Sequence, residues 1–379
     1  MPRTARWRLA ASESCAAVQD IELLIVSFRR SRCDPSSAAQ SQIANWQSRT
    51  LSAVASPSTC AMLAGSQRMK YRDFGKTGWK VSVIGYGASP PGDPFVDIDE
   101  KERIRAVRTA VDLGVNFIDV SPDFAGGKAE VMVGKALREI PRETFYLATK
   151  VGRYGPDAKD FDFSAERVTR SVNESLKRLR VAHIDLIQCQ DIEFASLAQV
   201  VEETIPALQK LKQQGKVHKI GVTTLPLKTL RKVLERTTLD AALSYCHYCL
   251  TDMTLVQMLP YIKAKGTGLI NGSPFAMRLL TEKEPPKLHP APAAVRDICA
   301  KAVEYCKKKK TPISRLALQF AVGNKDIATT LVGTTSAKGI KQNVRWLEDR
   351  LDQALLMDVQ DILAPIRNQA WPRGHAENN

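Results

Sequence analysis

Eight short apolar runs, separated by amphipathic stretches, constrain the fold of this chain more than any other feature. They are VSVIGYG (81–87), NFIDVS (116–121), FYLATKV (145–151), HIDLIQC (183–189), HKIGVTT (218–224), AALSYC (241–246), TGLINGS (267–273) and IATTLVG (327–333). Between them, stretches such as ERIRAVRTAVDLG, SAERVTRSVNESLKRLR, AQVVEETIPALQKLKQQG and TLVQMLPYIKAKG carry apolar residues three and four apart and close on a glycine or a basic residue. That spacing predicts surface helices with one buried face. Strands that are apolar along most of their length are covered on both faces, and a helix between successive strands makes them parallel. Eight such units predict an α/β fold of the closed (β/α)8 type, the TIM barrel. An open doubly wound sheet is disfavoured, because IGYGASPPG lacks the GxGxxG turn that leads straight into a helix.

The chain changes character at Met69. Residues 1–68 hold eight arginines, no lysine, four acids and twelve serines, with no sustained periodicity. We place them outside the fold, as a disordered leader or extension, and assign the barrel to residues 69–379. An arginine- and serine-rich leader suits a plastid or mitochondrial transit segment; a true start at Met69 instead leaves a cytoplasmic protein. No run of about 18 apolar residues occurs, so no membrane span is expected. The net charge of +15 comes without a nucleic-acid-binding motif and is spread along helices, so no nucleic-acid partner is expected. Lys307 to Lys310, the densest basic run, is expected at a helix C-terminus, where it complements the macrodipole. Eight cysteines without a regular framework suit a reducing compartment. Cys246 and Cys249 form a CxxC with only His247 near, so they are expected as partly buried thiols at the end of a strand, and no metal site is expected.

In such a barrel the functional side chains sit at the C-terminal ends of strands. The second run ends in Asp119, and its loop carries Asp123 and Phe124. The third ends in Thr149 and Lys150, the fourth in Gln188, Cys189, Gln190 and Asp191. A lysine and an aspartate converging there form either a charge pair that tunes a third group or a rim salt bridge.

The strings NFIDVSPDFAGGKAEVMVGKAL, FYLATKVGRY, IDLIQCQDIEF, ETIPALQKLKQQGKV, IGVTTLPL, SPFAMRLLTE, LALQFAVGNKDIATTLVGTTS and NQAWPRG resemble the aldo-keto reductase superfamily. Within it they are most similar to the plant-type L-galactose dehydrogenases, with the L-fucose and D-threo-aldose 1-dehydrogenases related. The resemblance implies an NAD(P)-dependent oxidoreductase of the ascorbate-biosynthesis type that oxidises C1 of an aldose, L-galactose or a similar sugar, to its lactone. It also implies a catalytic tetrad of Asp, Tyr, Lys and His, which fall by position on Asp119, Phe124, Lys150 and Gln190. Two of the four are replaced. Phenylalanine deletes the hydroxyl that passes the proton accompanying the hydride. Glutamine still donates a hydrogen bond but does not titrate near neutrality. Asp123, next to the lost tyrosine, is a conceivable substitute base, although it is expected as a solvent-exposed loop acid.

The same resemblance implies a cofactor site. Thr223 and Thr224 stand where the family places a Ser-Asn pair against the carboxamide. Ser273, Pro274, Phe275, Ala276, Met277 and Arg278 form the stretch along the pyrophosphate, with Arg278 in place of a glycine; it either adds a phosphate contact or blocks a close backbone approach. Gly333, Thr334, Thr335, Gln342 and Asn343 match the adenosine segment. Gly339 stands where NADP-preferring members carry an arginine, so NAD is expected over NADP, with Lys338 beside it pulling the other way. Two functions follow: an aldose dehydrogenase with an unorthodox base, or a non-catalytic barrel that binds nucleotide or a protein partner. Fold similarity does not choose between them.

Overall fold

A short antiparallel hairpin of β1 (Tyr71–Asp73) and β2 (Lys80–Ser82) precedes eight strands, all parallel, that close on themselves in sequence order. These are β3 (Ile84–Gly87), β4 (Phe117–Asp119), β5 (Tyr146–Val151), β6 (Ile184–Cys189), β7 (Val217–Thr224), β8 (Ala241–Tyr245), β9 (Gly268–Gly272) and β10 (Thr329–Gly333). The ring closes where β10 pairs with β3, from Thr330↔Ile84 to Gly333↔Gly87. The expected (β/α)8 barrel is therefore the architecture of this chain. The computed structural model describes residues 69–88, 99–286 and 289–379; the expected leader, 1–68, lies outside the described residues.

One expected strand is two. The run 81–87 is interrupted at Val83, because its first half belongs to the hairpin and its second to the barrel. Asn116 fixes the break: its side-chain oxygen accepts from Ser82 N (2.8 Å), and Ser82 Oγ donates onward to Ile84 O (2.7 Å). Val83 N meanwhile donates back to Lys70 O at 2.9 Å.

The outer layer comprises α1 (Glu100–Asp112), α2 (Lys128–Leu137), α3 (Ala165–Leu179), α4 (Ile205–Gln213), α5 (Leu227–Arg236), α6 (Leu259–Lys265), α7 (Ala293–Lys308), α8 (Ile313–Gly323), α9 (Ala337–Trp346) and α10 (Gln353–Leu363). Two expected helices are irregular, each beside a proline that has no N–H to donate. A π turn (Val200–Thr204) precedes Pro206, and a 3-10 turn (Thr254–Met258) precedes Pro260. Lys307 and Lys308 occupy the last turn of α7 as expected. Among the described residues no helix is long and apolar enough to cross a membrane. Cys246 and Cys249 are free thiols, as expected, and buried.

Side chains alternate between two cores, as the period of a strand demands. Ile118, Leu147, Ile187, Val222, Ala242 and Leu269 face the helices. Phe117, Ala148, Leu186, Ala241, Leu243 and Ile270 face inward, where they meet Phe74 and Val81 from the hairpin. Phe74 is fully buried and closes the barrel floor, its ring centroid 5.9 Å from Trp79 and 5.7 Å from Phe117. Gly268 makes room for it: a Cβ there would lie 2.8 Å from the Phe74 ring. We expect Phe74→Ala to lower the unfolding free energy by about 3–5 kcal/mol, measured by urea denaturation of residues 69–379. A loss below about 1 kcal/mol would show that the hairpin does not complete the core.

Candidate functional site

The mouth of the barrel is built by continuing each inward-facing series one step further. Phe117 leads to Asp119 on β4, Ala148 to Lys150 on β5, Leu186 to Gln188 and then Gln190 on β6, Gly221 to Thr223 on β7, and Leu243 to Tyr245 on β8. A dry layer is thus followed by a polar one. Asp119 and Lys150 are each only 4% exposed, and Lys150 Nζ donates to Asp119 Oδ1 at 2.5 Å. The ammonium also donates to Val120 O at 2.9 Å. Gln188 Nε2 donates to the second Asp119 oxygen at 2.9 Å. Buried charges of this kind persist only when paired and hydrogen-bonded on both sides.

Phe124 and Gln190 frame this pair. The segment 121–124 turns tightly, with Phe124 N donating to Ser121 O (3.2 Å), and the half-buried ring of Phe124 packs against the helix-facing core. Its centroid lies 5.9 Å from Lys150 Nζ, near the outer limit of about 6 Å for a cation–π contact. The ammonium therefore faces an aromatic surface with no hydroxyl on it. Gln190 is buried, and its amide oxygen accepts from Ser121 Oγ at 2.5 Å. Its main-chain N–H donates to Val151 O at 2.8 Å.

Asp123 departs from expectation. Its side chain is 12% exposed rather than solvated, and Oδ2 lies 3.3 Å from Arg153 Nε. Burial raises its carboxyl above the usual range against the opposing pull of Arg153. Arg153 in turn links to a larger charge cluster: Arg153 Nη1 and Arg373 Nη2 both pair with Asp191 Oδ2, at 2.7 and 2.9 Å. Arg373 Nε also lies 3.4 Å from Glu193 Oε1. The Tyr245 hydroxyl bridges Asp191 Oδ1 (3.2 Å) and Glu193 Oε1 (2.9 Å). Burial would raise the Asp191 carboxyl, but the two guanidinium groups hold it below its ordinary value. Glu193 is raised to about 7 by burial and by Asp191. Of these residues, sequence reasoning reached Asp191 at its strand end. It gave no role to Tyr245, which the inward alternation of β8 would have found, or to Arg153, Glu193 and Arg373.

The expected cofactor residues separate into three places. Thr223 faces the mouth, where its Oγ1 accepts from Asp191 N at 3.0 Å. Thr224 has the parity of Ile220 and Val222, which pack in the helix-facing core, and is itself fully buried. Ser273, Ala276, Met277 and Arg278 all have positive φ (54°, 46°, 53° and 83°), and half-buried Phe275 packs between the two outer clusters. Arg278 thus keeps a backbone conformation that favours glycine, and its guanidinium donates to Glu284 O at 2.7 Å. At the third place, Gly333 stands opposite Gly87, which leaves the β3–β10 rim bare of side chains. Thr334 and Thr335 follow and line a small cleft with Tyr86 and Arg103; Arg103 Nε is buried there without a partner. Ser336 caps α9, and Glu102 Oε1 accepts from Ala337 N at 2.9 Å. Gln342 is exposed on the groove between α1 and α9, whereas Asn343 is buried. Gly339 has no space for a side chain: a Cβ would lie 2.3 Å from Thr334 Oγ1.

The buried carboxyl of Glu193 has a measurable consequence. A carboxyl whose folded pKa is raised binds more protons folded than unfolded, so its contribution is present below the unfolded value near 4.5 and is lost as pH rises through about 7. Asp191, depressed, is ionised throughout pH 5–8 and does not offset this. Urea-unfolding free energies should fall between pH 5 and 7 in the wild-type chain, and Glu193→Gln should flatten the decline. An unchanged pH profile in that variant would show that Glu193 is not the group responsible.

A family model described as the Aldo/keto reductase family matches residues 83–364. L-galactose dehydrogenase of Arabidopsis thaliana is 46% identical over 320 residues, which cover 82% of this chain and 99% of that protein. D-arabinose 1-dehydrogenase of Saccharomyces cerevisiae is 30% identical over 251 residues, 62% of this chain and 71% of its own. Among solved structures, the holo form of an aldo-keto reductase from Bacillus halodurans superposes with a TM-score of 0.66 at 26% identity, covering 81% of this chain and 99% of that one. The eight-stranded barrel with its polar C-terminal mouth and the match across 83–364 agree, and the chain belongs to the aldo/keto reductase family.

Proposed function

We propose that this chain is an NAD-linked aldose 1-dehydrogenase of the L-galactose dehydrogenase kind that turns over slowly, because its site holds the substrate but lacks the group that takes the proton. The observation that carries this reading is the buried Lys150–Asp119 pair facing a phenyl ring, 5.9 Å from the ammonium. Oxidation of an aldose at C1 removes a hydride from carbon and a proton from the anomeric oxygen. Asp119, Gln188 and Val120 O hold Lys150 in place, and its ammonium is the charge beside the Phe124 ring that would lower the pKa of a phenol at that position. Without that oxygen the proton has no built path. Gln190, oriented by Ser121, retains an amide able to hold a sugar oxygen. Asp123 lies beside the gap, but its carboxylate is committed to Arg153.

The residues present suit a dinucleotide. The bare Gly87–Gly333 rim admits a close backbone approach, and Arg103 lines a small cleft together with Thr334 and Thr335. Gly333, Thr334 and Thr335 would hold the adenosine half, Ser273 and Phe275 the pyrophosphate loop, and Thr223 the nicotinamide end. NAD, when bound, supplies the hydride acceptor. NAD is favoured over NADP because Glu102 already sets a carboxylate on the N-terminus of α9, where a further phosphate would be repelled. We place the protein in the cytoplasm, with a plastid or mitochondrion the alternative if residues 1–68 act as a transit segment. A non-catalytic nucleotide-binding barrel is the second reading. The missing hydroxyl of Phe124 and the prior engagement of Thr223 with Asp191 favour it.

Steady-state assay with NAD and L-galactose separates the two. A positioned general acid or base contributes about 10²–10⁴ in rate, so Phe124→Tyr with Gln190→His should raise kcat by about 10²-fold or more with little change in KM. Wild-type activity within about tenfold of that variant would overturn the missing-proton-path reading. Turnover by neither protein, with saturable quenching on NADH titration, would establish the non-catalytic barrel.

A further inference from the structure

The N-terminal rim of the barrel, at the opposite end from the mouth, gathers two of the five histidines of the chain. His183 immediately precedes β6, and His218 is the second residue of β7. Pairing of Ile184 with Val217 and of Leu186 with Lys219 sets Asp185 beside His218. His183 and Asp185, two residues apart, share one side of their strand. Among the described residues, this is the one group of three histidine, cysteine or acidic side chains whose ligand atoms all lie close enough, within 4.8 Å of one another, to hold an ion.

The spacing is too long for hydrogen bonds and close to what an ion requires. Asp185 Oδ1 lies 3.8 Å from His183 Nε2 and 3.7 Å from His218 Nδ1. Ligand atoms about 2.0–2.2 Å from a tetrahedral zinc ion are themselves about 3.3–3.6 Å apart, so both pairs need to close by only a few tenths of an ångström. The carboxylate is also pinned. Its other oxygen accepts from Leu147 N at 2.7 Å and from the Arg142 guanidinium, so Oδ1 is held toward the two rings. Outer hydrogen bonds that fix a ligand's direction are characteristic of metal sites. The imidazoles stack at 4.2 Å between centroids, a distance at which two protonated rings repel. To share an ion the rings must splay, and His218, with its side chain 45% exposed, has the freedom to turn. The site opens to solvent. Imidazole nitrogen favours zinc, nickel, cobalt and copper over magnesium or calcium.

We propose that His183, Asp185 and His218 form a binding site for a divalent transition-metal ion of the zinc type, with water at the remaining positions, that clamps the start of β6 to the start of β7. It is independent of the function proposed above. The test is calorimetric titration of the untagged, chelator-stripped full-length chain with zinc chloride, repeated on His218→Ala, His183→Ala and Cys249→Ser. One site per chain is expected, at least about tenfold weaker in either histidine variant and unchanged in Cys249→Ser. Zinc should raise the melting temperature of the wild-type chain and not that of His218→Ala. With cobalt chloride, the absorption spectrum should lack a thiolate charge-transfer band. No saturable binding, binding unaltered in His218→Ala, or a thiolate band that disappears in Cys249→Ser would each overturn the proposal.

Discussion

Closure of eight parallel strands leaves one degree of choice per residue, inward or outward, and the rest of the structure follows from it. The inward series begin dry, with Phe117, Ala148, Leu186 and Ile270 stacked above Phe74. Two residues on, the same series deliver Asp119, Lys150 and Gln188. An ammonium at the edge of an apolar layer has no water to solvate it, so it requires Asp119. Asp119 in turn needs a second donor, which Gln188 provides. Removing either Lys150 or Asp119 strands its partner's buried charge at a cost of about 3–5 kcal/mol. The three side chains therefore constrain one another whatever chemistry the mouth performs.

Above this layer lies a second tier, whose charge balance is uneven. Two guanidinium groups, Arg153 and Arg373, serve three carboxyls, Asp123, Asp191 and Glu193. Asp191 takes both arginines and stays ionised. Glu193, fully buried and with its shortest contact to the Tyr245 hydroxyl, is where the surplus charge is relieved by a proton. The C-terminal tail closes over it. Gly374 (φ 82°) passes so near that a Cβ would lie 2.3 Å from Glu193 O, His375 N donates to the same carbonyl at 2.9 Å, and Asn378 Nδ2 bonds Glu193 O and Ala195 O. The tail thus fixes the loop after β6, and through Asp191 it fixes Thr223.

Periodicity made the barrel and its mouth legible. Each of the eight apolar runs supplied one barrel strand, and the strand ends carried Asp119, Lys150, Gln188, Gln190 and Asp191 to one place. What stayed hidden depended on register or on distant chain. Val83 breaks an apolar run because Asn116, 34 residues from Ser82, claims the backbone there. Asp123 is drawn out of solvent by Arg153 from the loop after the next strand, and Arg373 reaches Asp191 across 182 residues. The left-handed backbone at Arg278 was foreshadowed only by the glycine it replaces. The pairing of His183 with His218 follows from the β6–β7 register, which no local pattern specifies.

Arg278 and Phe124 differ in kind. Arg278 holds a left-handed backbone at a steric cost of about 1–2 kcal/mol, a cost that falls on stability. Phe124 is the reverse. The ring keeps its packing against the core and its place over Lys150, so the fold loses nothing when the oxygen is absent. Since Lys150, Asp119 and Gln188 are held by one another, a chain that had lost turnover would keep them all. The intact ion pair is therefore not by itself a sign of catalysis. Only the proton path, which structure does not enforce, distinguishes a slow dehydrogenase from a barrel that binds nucleotide alone.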